Sequence, residues 1–261
     1  MEIKDVMGIE PVAESVKITT TKVLEGISSF LEVVCKPAFS ELGLMARDQV
    51  RSWRLNNIAS IINKAEGRLE FDGNDLQLQA NARVGLAIVE EGSKIDDNEL
   101  QELWAGLFCS SCTKDGKDDS NLIFVDLLRH LSVVEARILK YACEHAEKVL
   151  YPNGLIIAHK LSVSFETLKD ITGVDDLYRL DSEMDHLTAI SLLSHNSGGF
   201  DILDSKLSAD IVPSALALNL YYKTNCIGKS QIEFWGKSLR PASLEEKKPL
   251  NKYFEEIISK S

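Results

Sequence analysis

The sequence predicts a mainly α fold: an N-terminal helical bundle followed by a winged-helix-like α+β module with a small β-hairpin. Three observations predict it. Apolar residues recur at helical spacing through most of residues 16–149. The run Ser132-Val133-Val134-Glu135 has capping-box spacing and opens a new segment. Past Tyr151-Pro152-Asn153-Gly154 the rhythm changes to strand, helix, helix, hairpin, which with the helix opened at Ser132 gives the order helix, strand, helix, helix, hairpin. The expected divisions are therefore 1–131 for the bundle, 132–226 for the winged-helix-like module, and 227–261 for an extended tail with a short terminal helix.

Within the bundle, Val16, Thr20, Val23, Ile27, Phe30 and Val34 alternate four and three apart, a heptad seam. The seam is short, and the β-branched run Ile18-Thr19-Thr20-Thr21 weakens it, so it reads as a bundle helix; pairing with a second copy is the alternative. Pro37 suits the first turn of a second helix reaching about Leu69, with Phe39, Leu42, Met45, Trp53, Ile58, Ile61, Ile62 and Ala65 as its buried stripe. The turn Phe71-Asp72-Gly73-Asn74-Asp75 ends it. Helices at about 81–91 and 97–111 follow, the latter opened by Asp96 and Asp97. A polar loop at 113–120 leads to a helix at 122–131, and Ser132 then caps another that runs to about Val149.

In the second module a strand at 155–158 precedes helices at 164–172 and 174–193. Extended pieces at 199–203 and 206–212 form the hairpin, and Pro213 begins a closing helix through Tyr222.

A chain of 261 residues with 44% hydrophobic and 26% charged side chains has ordinary globular composition, which excludes global disorder and fibrous repeats. The formal net charge of -11 opposes nonspecific binding to phosphate backbones. Met1-Glu2-Ile3-Lys4-Asp5 lacks the basic-then-apolar order of a secretory signal, and residue 2 is not Gly, so no myristoylation is expected. No apolar run approaches the roughly 18 residues of a transmembrane helix. Five cysteines, an odd and scattered set, suit reduced thiols. The expectation is a cytoplasmic protein with no structural disulfide and no transmembrane segment.

Two stretches carry a family resemblance: Pro37-Ala38-Phe39-Ser40-Glu41-Leu42-Gly43-Leu44 leading into Val50-Arg51-Ser52-Trp53-Arg54, and Asp97-Asn98-Glu99-Leu100-Gln101-Glu102-Leu103-Trp104-Ala105-Gly106-Leu107. In order and spacing they resemble the abortive infection alpha (Abi-alpha) family of bacterial proteins. The similarity runs over about 30–226, with Leu131-Ser132 and Ile190-Ser191-Leu192-Leu193 in family-like places. The resemblance implies a role in defence against bacteriophage, in which an infected cell is sacrificed or its growth arrested. It implies no established chemistry. The family's Thr and Gly before the last helix are replaced here by Ile211-Val212-Pro213-Ser214-Ala215.

Arg47, Arg51 and Arg54 fall at i, i+4 and i+7 beside Trp53, a stripe of guanidinium groups suited to carboxylate or phosphate recognition. These four residues are the candidate binding site; the alternative is that the stripe pairs with acidic faces of neighbouring helices. Cys109-Ser110-Ser111-Cys112 has the spacing of a redox or zinc half-site but no second pair, and reads as small apolar residues at a helix end. Glu183 and His186 stand one helical turn apart without the repeat that a carboxylate-bridged metal site needs. His130, His145, His159 and His195 lack a nucleophile signature, and the sequence contains no Gly-x-Ser-x-Gly, phosphate loop or His-Glu-x-x-His. No catalytic residue, metal or cofactor is expected.

The helix at 174–193 takes the place that enters the DNA major groove in DNA-binding winged helices. Asp175, Asp176, Asp181, Glu183 and Asp185 surround a lone Arg179 there, a face that repels phosphate. The primary expectation is a non-enzymatic effector or sensor acting through a protein partner, phage or host, with a homo-oligomer through the N-terminal helix as a further option and DNA disfavoured. A nucleic-acid-binding winged-helix regulator is the second reading, and a membrane-acting toxin, its helix at 10–34 inserting after activation, the third.

Overall fold

A computed structural model describes residues 30–36, 49–69, 78–195, 197, 199–201, 207–225, 228–243 and 246. The described chain is mainly helical, with three small sheets. It forms two compact units: one ends at Leu131 and takes back Lys223–Gly228, and the other comprises Ser132–Tyr222 with the chain from Lys229 onward.

In the first unit, α1 (Gln49–Leu69) buries Leu55, Ile58, Ile61, Ile62 and Ala65, spaced three and four apart. One apolar stripe therefore faces the core. After the short β1 (Gln79–Ala80), Asn81 caps α2 (Ala82–Gly92) by accepting from the Arg83 amide. Asp97 caps α3 (Asn98–Ser110) by accepting from the amides of Glu99 and Leu100. Trp104, Leu107 and Phe108 of α3 are fully buried. Gly92 makes room for this packing: a Cβ there would meet Ile61 Cδ1 at 3.1 Å and the Trp104 ring at 3.6 Å. Residues 30–34 are also helical, and the Phe30 ring lies 6.0 Å from that of Phe108.

Polar side chains join α1 to its neighbours. Ser60 donates to Gln101 Oε1 at 2.7 Å, and Lys64 reaches Glu102 Oε1 at 2.8 Å. Arg68 pairs with the other Glu102 oxygen and donates from Nη1 to the Thr224 carbonyl at 3.1 Å. The short β2 (Cys112–Thr113) pairs with β1, and α4 (Leu122–Leu128) follows.

The second unit opens on α5 (Val133–His145), which carries the expected capping box. The helix stops at His145 instead of running to Val149, because Ala146 turns extended (ψ 137°) and the next residues pair as strand. β3 (Lys148–Leu150) and β4 (Ile156–Ala158) make an antiparallel hairpin across Tyr151-Pro152-Asn153-Gly154, with Gly154 at φ +86°. β5 (Leu161–Ser164) leads into α6 (Phe165–Thr172), which Gly173 ends in the left-handed region. α7 (Leu177–Ala189) is shorter than the expected 174–193, since Asp176 caps it at one end and Ser191, at φ +63°, follows its other end.

β6 (Ser208–Ile211) pairs antiparallel with β5, and Phe200 forms a single bridge to Ala209. The expected extended pieces thus meet, but the main partner of the second is β5; residues 202–206 lie outside the described residues. α8 (Ala215–Asn225) follows Pro213. The segment read as an extended tail is instead folded where it is described: α9 (Gln231–Trp235), a 3-10 turn (Gly236–Ser238) and β7 (Leu239–Pro241), which joins β3 as a parallel edge strand. A three-residue strand with a distant partner carries too little periodicity to be read from sequence. The heptad seam before residue 30, the start of the Pro37 helix and the terminal helix lie outside the described residues.

Candidate functional site

The predicted arginine stripe is placed only in part. Arg47 and the Arg51 side chain lie outside the described residues. Trp53 is exposed, at 42% of its surface. Arg54 is turned onto the end of α2, donating from Nε to Ser93 Oγ at 2.9 Å and from Nη2 to the Glu90 carbonyl at 3.2 Å. Ser93 is the residue that ends that helix, and its own hydroxyl donates to the same carbonyl at 2.9 Å. A guanidinium at a helix C-terminus satisfies orphan carbonyls and complements the helix dipole. The partner of Arg54 is therefore a helix end, not the acidic face that sequence reasoning weighed.

A cluster of polar side chains lies at the start of α5. Glu135 is buried, and both carboxylate oxygens are committed: Oε2 accepts from the Ser132 amide at 2.7 Å, and Oε1 pairs with His186 Nδ1. Ser132 Oγ accepts from the Glu135 amide at 3.1 Å and donates to Glu183 Oε2 at 2.6 Å. Glu183 Oε1 lies 3.5 Å from Arg179 Nε. The capping box is thus extended by a turn of α7, and Glu183 and His186 point at the N-terminus of α5.

A buried carboxylate on Nδ1 fixes an imidazole ring and leaves Nε2 outward, an arrangement that also orients metal-binding histidines. Here the only serine in the cluster already donates its proton to Glu183 and accepts an amide, so its hydroxyl is a cap. Ser132 and Glu135 were legible as a capping pair; that Glu183 and His186 complete it depends on the packing of α7 on α5, for which the sequence carries no local signal.

The cysteine pair behaves as packing. Cys109 Sγ donates to the Ala65 carbonyl and Cys112 Sγ to the Phe108 carbonyl, each at 3.3 Å, and neither is in a disulfide. Burial pushes the Cys109 thiol up to about 12, and burial beside Cys109 and Cys35 raises that of Cys112. Among the described residues, no three His, Cys, Asp or Glu side chains are arranged to hold a metal ion. Nor is any described helix long and apolar enough to cross a membrane.

His145 stacks on Tyr141 at 4.0 Å, and His130 accepts from Arg129 at 3.1 Å. Lys148 is buried: Nζ donates to the carbonyls of Ala146 at 2.8 Å and Glu144 at 3.3 Å, and lies 4.8 Å from the centre of the Trp235 ring. Burial lowers its affinity for the proton.

Fold and clusters define a mainly helical protein of two units whose described polar groups hold helix ends and strands together. The abortive infection alpha family model matches residues 54–211, more than half of the chain, and the chain belongs to that family. The match contains the stretch from Asp97 to Leu107, whereas the residues from Pro37 to Trp53 precede it. Membership connects the protein with abortive infection, a defence against bacteriophage. No curated protein and no solved structure matches the chain.

Proposed function

We propose that the protein serves anti-phage defence as a non-enzymatic effector or sensor, acting through contact with another protein. The second unit supplies the contact module, which we read as winged-helix-like. The order α5, β5, α6, α7, Phe200 bridge, β6, once the β3–β4 ribbon inserted between α5 and β5 is set aside, supports that reading, as does the antiparallel β5–β6 pairing.

One observation carries the proposal. α7 takes the place of a recognition helix, and its second residue, Tyr178, is 84% exposed. Asp175, Asp176, Asp185 and Arg179 are exposed around it, with Arg179 leaning on Glu183. Such a face repels a phosphate backbone. An exposed tyrosine among carboxylates is instead an aromatic anchor for a protein surface of opposite charge.

Purified protein titrated with duplex DNA at two salt concentrations, alongside affinity capture from phage-infected cells, tests the reading. Capture of a discrete protein without DNA affinity is the expected result. Salt-dependent DNA binding would transfer the role to a nucleic-acid regulator, the reading the helix order favours next; leakage of liposomes would transfer it to a membrane-acting toxin.

A further inference from the structure

The sheet β4–β3–β7 has two outer edges, and they are built differently. On β7, the Ala242 amide donates to the Leu150 carbonyl at 3.0 Å, so Leu239 and Pro241 turn their main chain outward. Neither offers a donor: the Leu239 amide is spent on the Gly236 carbonyl, and proline has no N–H. Arg240 Nη1 donates to the Pro241 carbonyl at 3.1 Å and covers it. Arg240 is itself held in an ion ring, pairing with Glu147 and Glu246 while His159 lies beside both carboxylates. Such an edge resists a further strand.

The edge of β4 has none of these devices. The His159 amide donates to the Glu147 carbonyl at 2.8 Å and the Tyr151 amide to the Leu155 carbonyl at 2.9 Å, so the antiparallel register bonds the odd-numbered residues of β4 to β3. Ile156 and Ala158 therefore turn their N–H and C=O groups away from β3, and no group among the described residues pairs with them. Both residues are buried, which leaves these groups poorly hydrated as well as unpaired, an unfavourable state that a pairing main chain relieves. Leu155 and Ile157 present exposed apolar side chains on the alternate positions. A cleft of about 500 Å³, lined by Glu147, Ala158, His159, Lys160 and Val212, borders the end of the strand.

We propose that the β4 edge takes up an extended segment of a partner protein, which pairs with Ile156 and Ala158 as a fourth strand of the sheet. The unpaired groups recur at every second residue, the repeat of an extended main chain, so affinity comes from backbone hydrogen bonds. The segment is apolar where it runs beside Leu155 and Ile157, and basic overall, complementary to a chain of net charge -11. This contact is separate from the face of α7 and does not rest on it.

Selection of a random peptide library of about ten residues on the full chain, followed by amide exchange with the enriched peptides, tests the proposal. The expected result is enrichment of basic, apolar peptides that slow exchange of the Ile156 and Ala158 amides at least about tenfold. Replacing Ala158 by lactic acid removes its outward N–H and keeps its side chain. Peptide binding should weaken about fivefold, the worth of one main-chain hydrogen bond, with Tyr151 amide protection reporting that the β3–β4 ribbon is intact. Protection of the Ile156 and Ala158 amides in the free chain equal to that of Ile157 would show the edge already paired and overturn the proposal. Failure to enrich any peptide, or enriched peptides that leave both amides unchanged, overturns it equally.

Discussion

A Cβ on Gly106 would stand 1.7 Å from the carbonyl oxygen of Thr224, so these two residues meet with no room for a side chain. The same carbonyl accepts from Arg68, and together they seat the returning segment Lys223–Gly228 in the first unit. Gly106 lies in the Trp104-Ala105-Gly106-Leu107 run that carries the family resemblance, and close backbone approach is the physical reason for glycine there.

Gly106→Ala tests this contact. Helix propensity alone favours alanine by about 1 kcal/mol. The collision with backbone outweighs it, and a net loss of about 2–3 kcal/mol is expected, the scale of an overpacked core. A lower urea midpoint at unchanged slope is the measurement; a raised midpoint would show that the segment can move aside.

Arg54→Met keeps most of the apolar stem and removes both donors to the end of α2. A stability loss of about 1 kcal/mol is expected from the lost cap bonds and dipole contact. Defence, compared at matched levels of folded protein, should persist. Loss of defence with unchanged stability would return Arg54 to a binding role.

Glu135→Gln removes the charge that holds His186 while keeping the shape of the cap. The Ser132 amide still has an acceptor, so a loss of about 1–3 kcal/mol is expected, from the weakened bonds to a buried group. His186→Gln should cost less, because that side chain is 44% exposed. Comparing the two unfolding midpoints checks the order; abolished defence in a stable His186→Gln protein would show that its outward Nε2 works in function.

Where local chemistry decides an element, the sequence was readable: the helices expected from about 81, 97, 132 and 164 start at the caps Asn81, Asp97, Ser132 and Ser164, and the expected break at Tyr151-Pro152-Asn153-Gly154 is a turn. What escaped depends on distant partners. Lys148–Leu150 continues a helical apolar pattern and becomes strand only because Ile156–Ala158 and Leu239–Pro241 pair with it. Arg54 offered a fork for carboxylates, yet the nearest acceptors are the groups that end α2. The ion ring of Glu147, His159, Arg240 and Glu246 joins three separate segments, and no spacing announces it.

The central proposal is that the exposed face of α7 meets a protein, and the most direct measurement places a photo-crosslinking residue at Tyr178 in cells challenged with phage. A discrete protein adduct from position 178, absent when the probe replaces the buried Leu180, is the predicted result. Intact defence with no protein adduct at position 178, or an adduct to nucleic acid there, would contradict it.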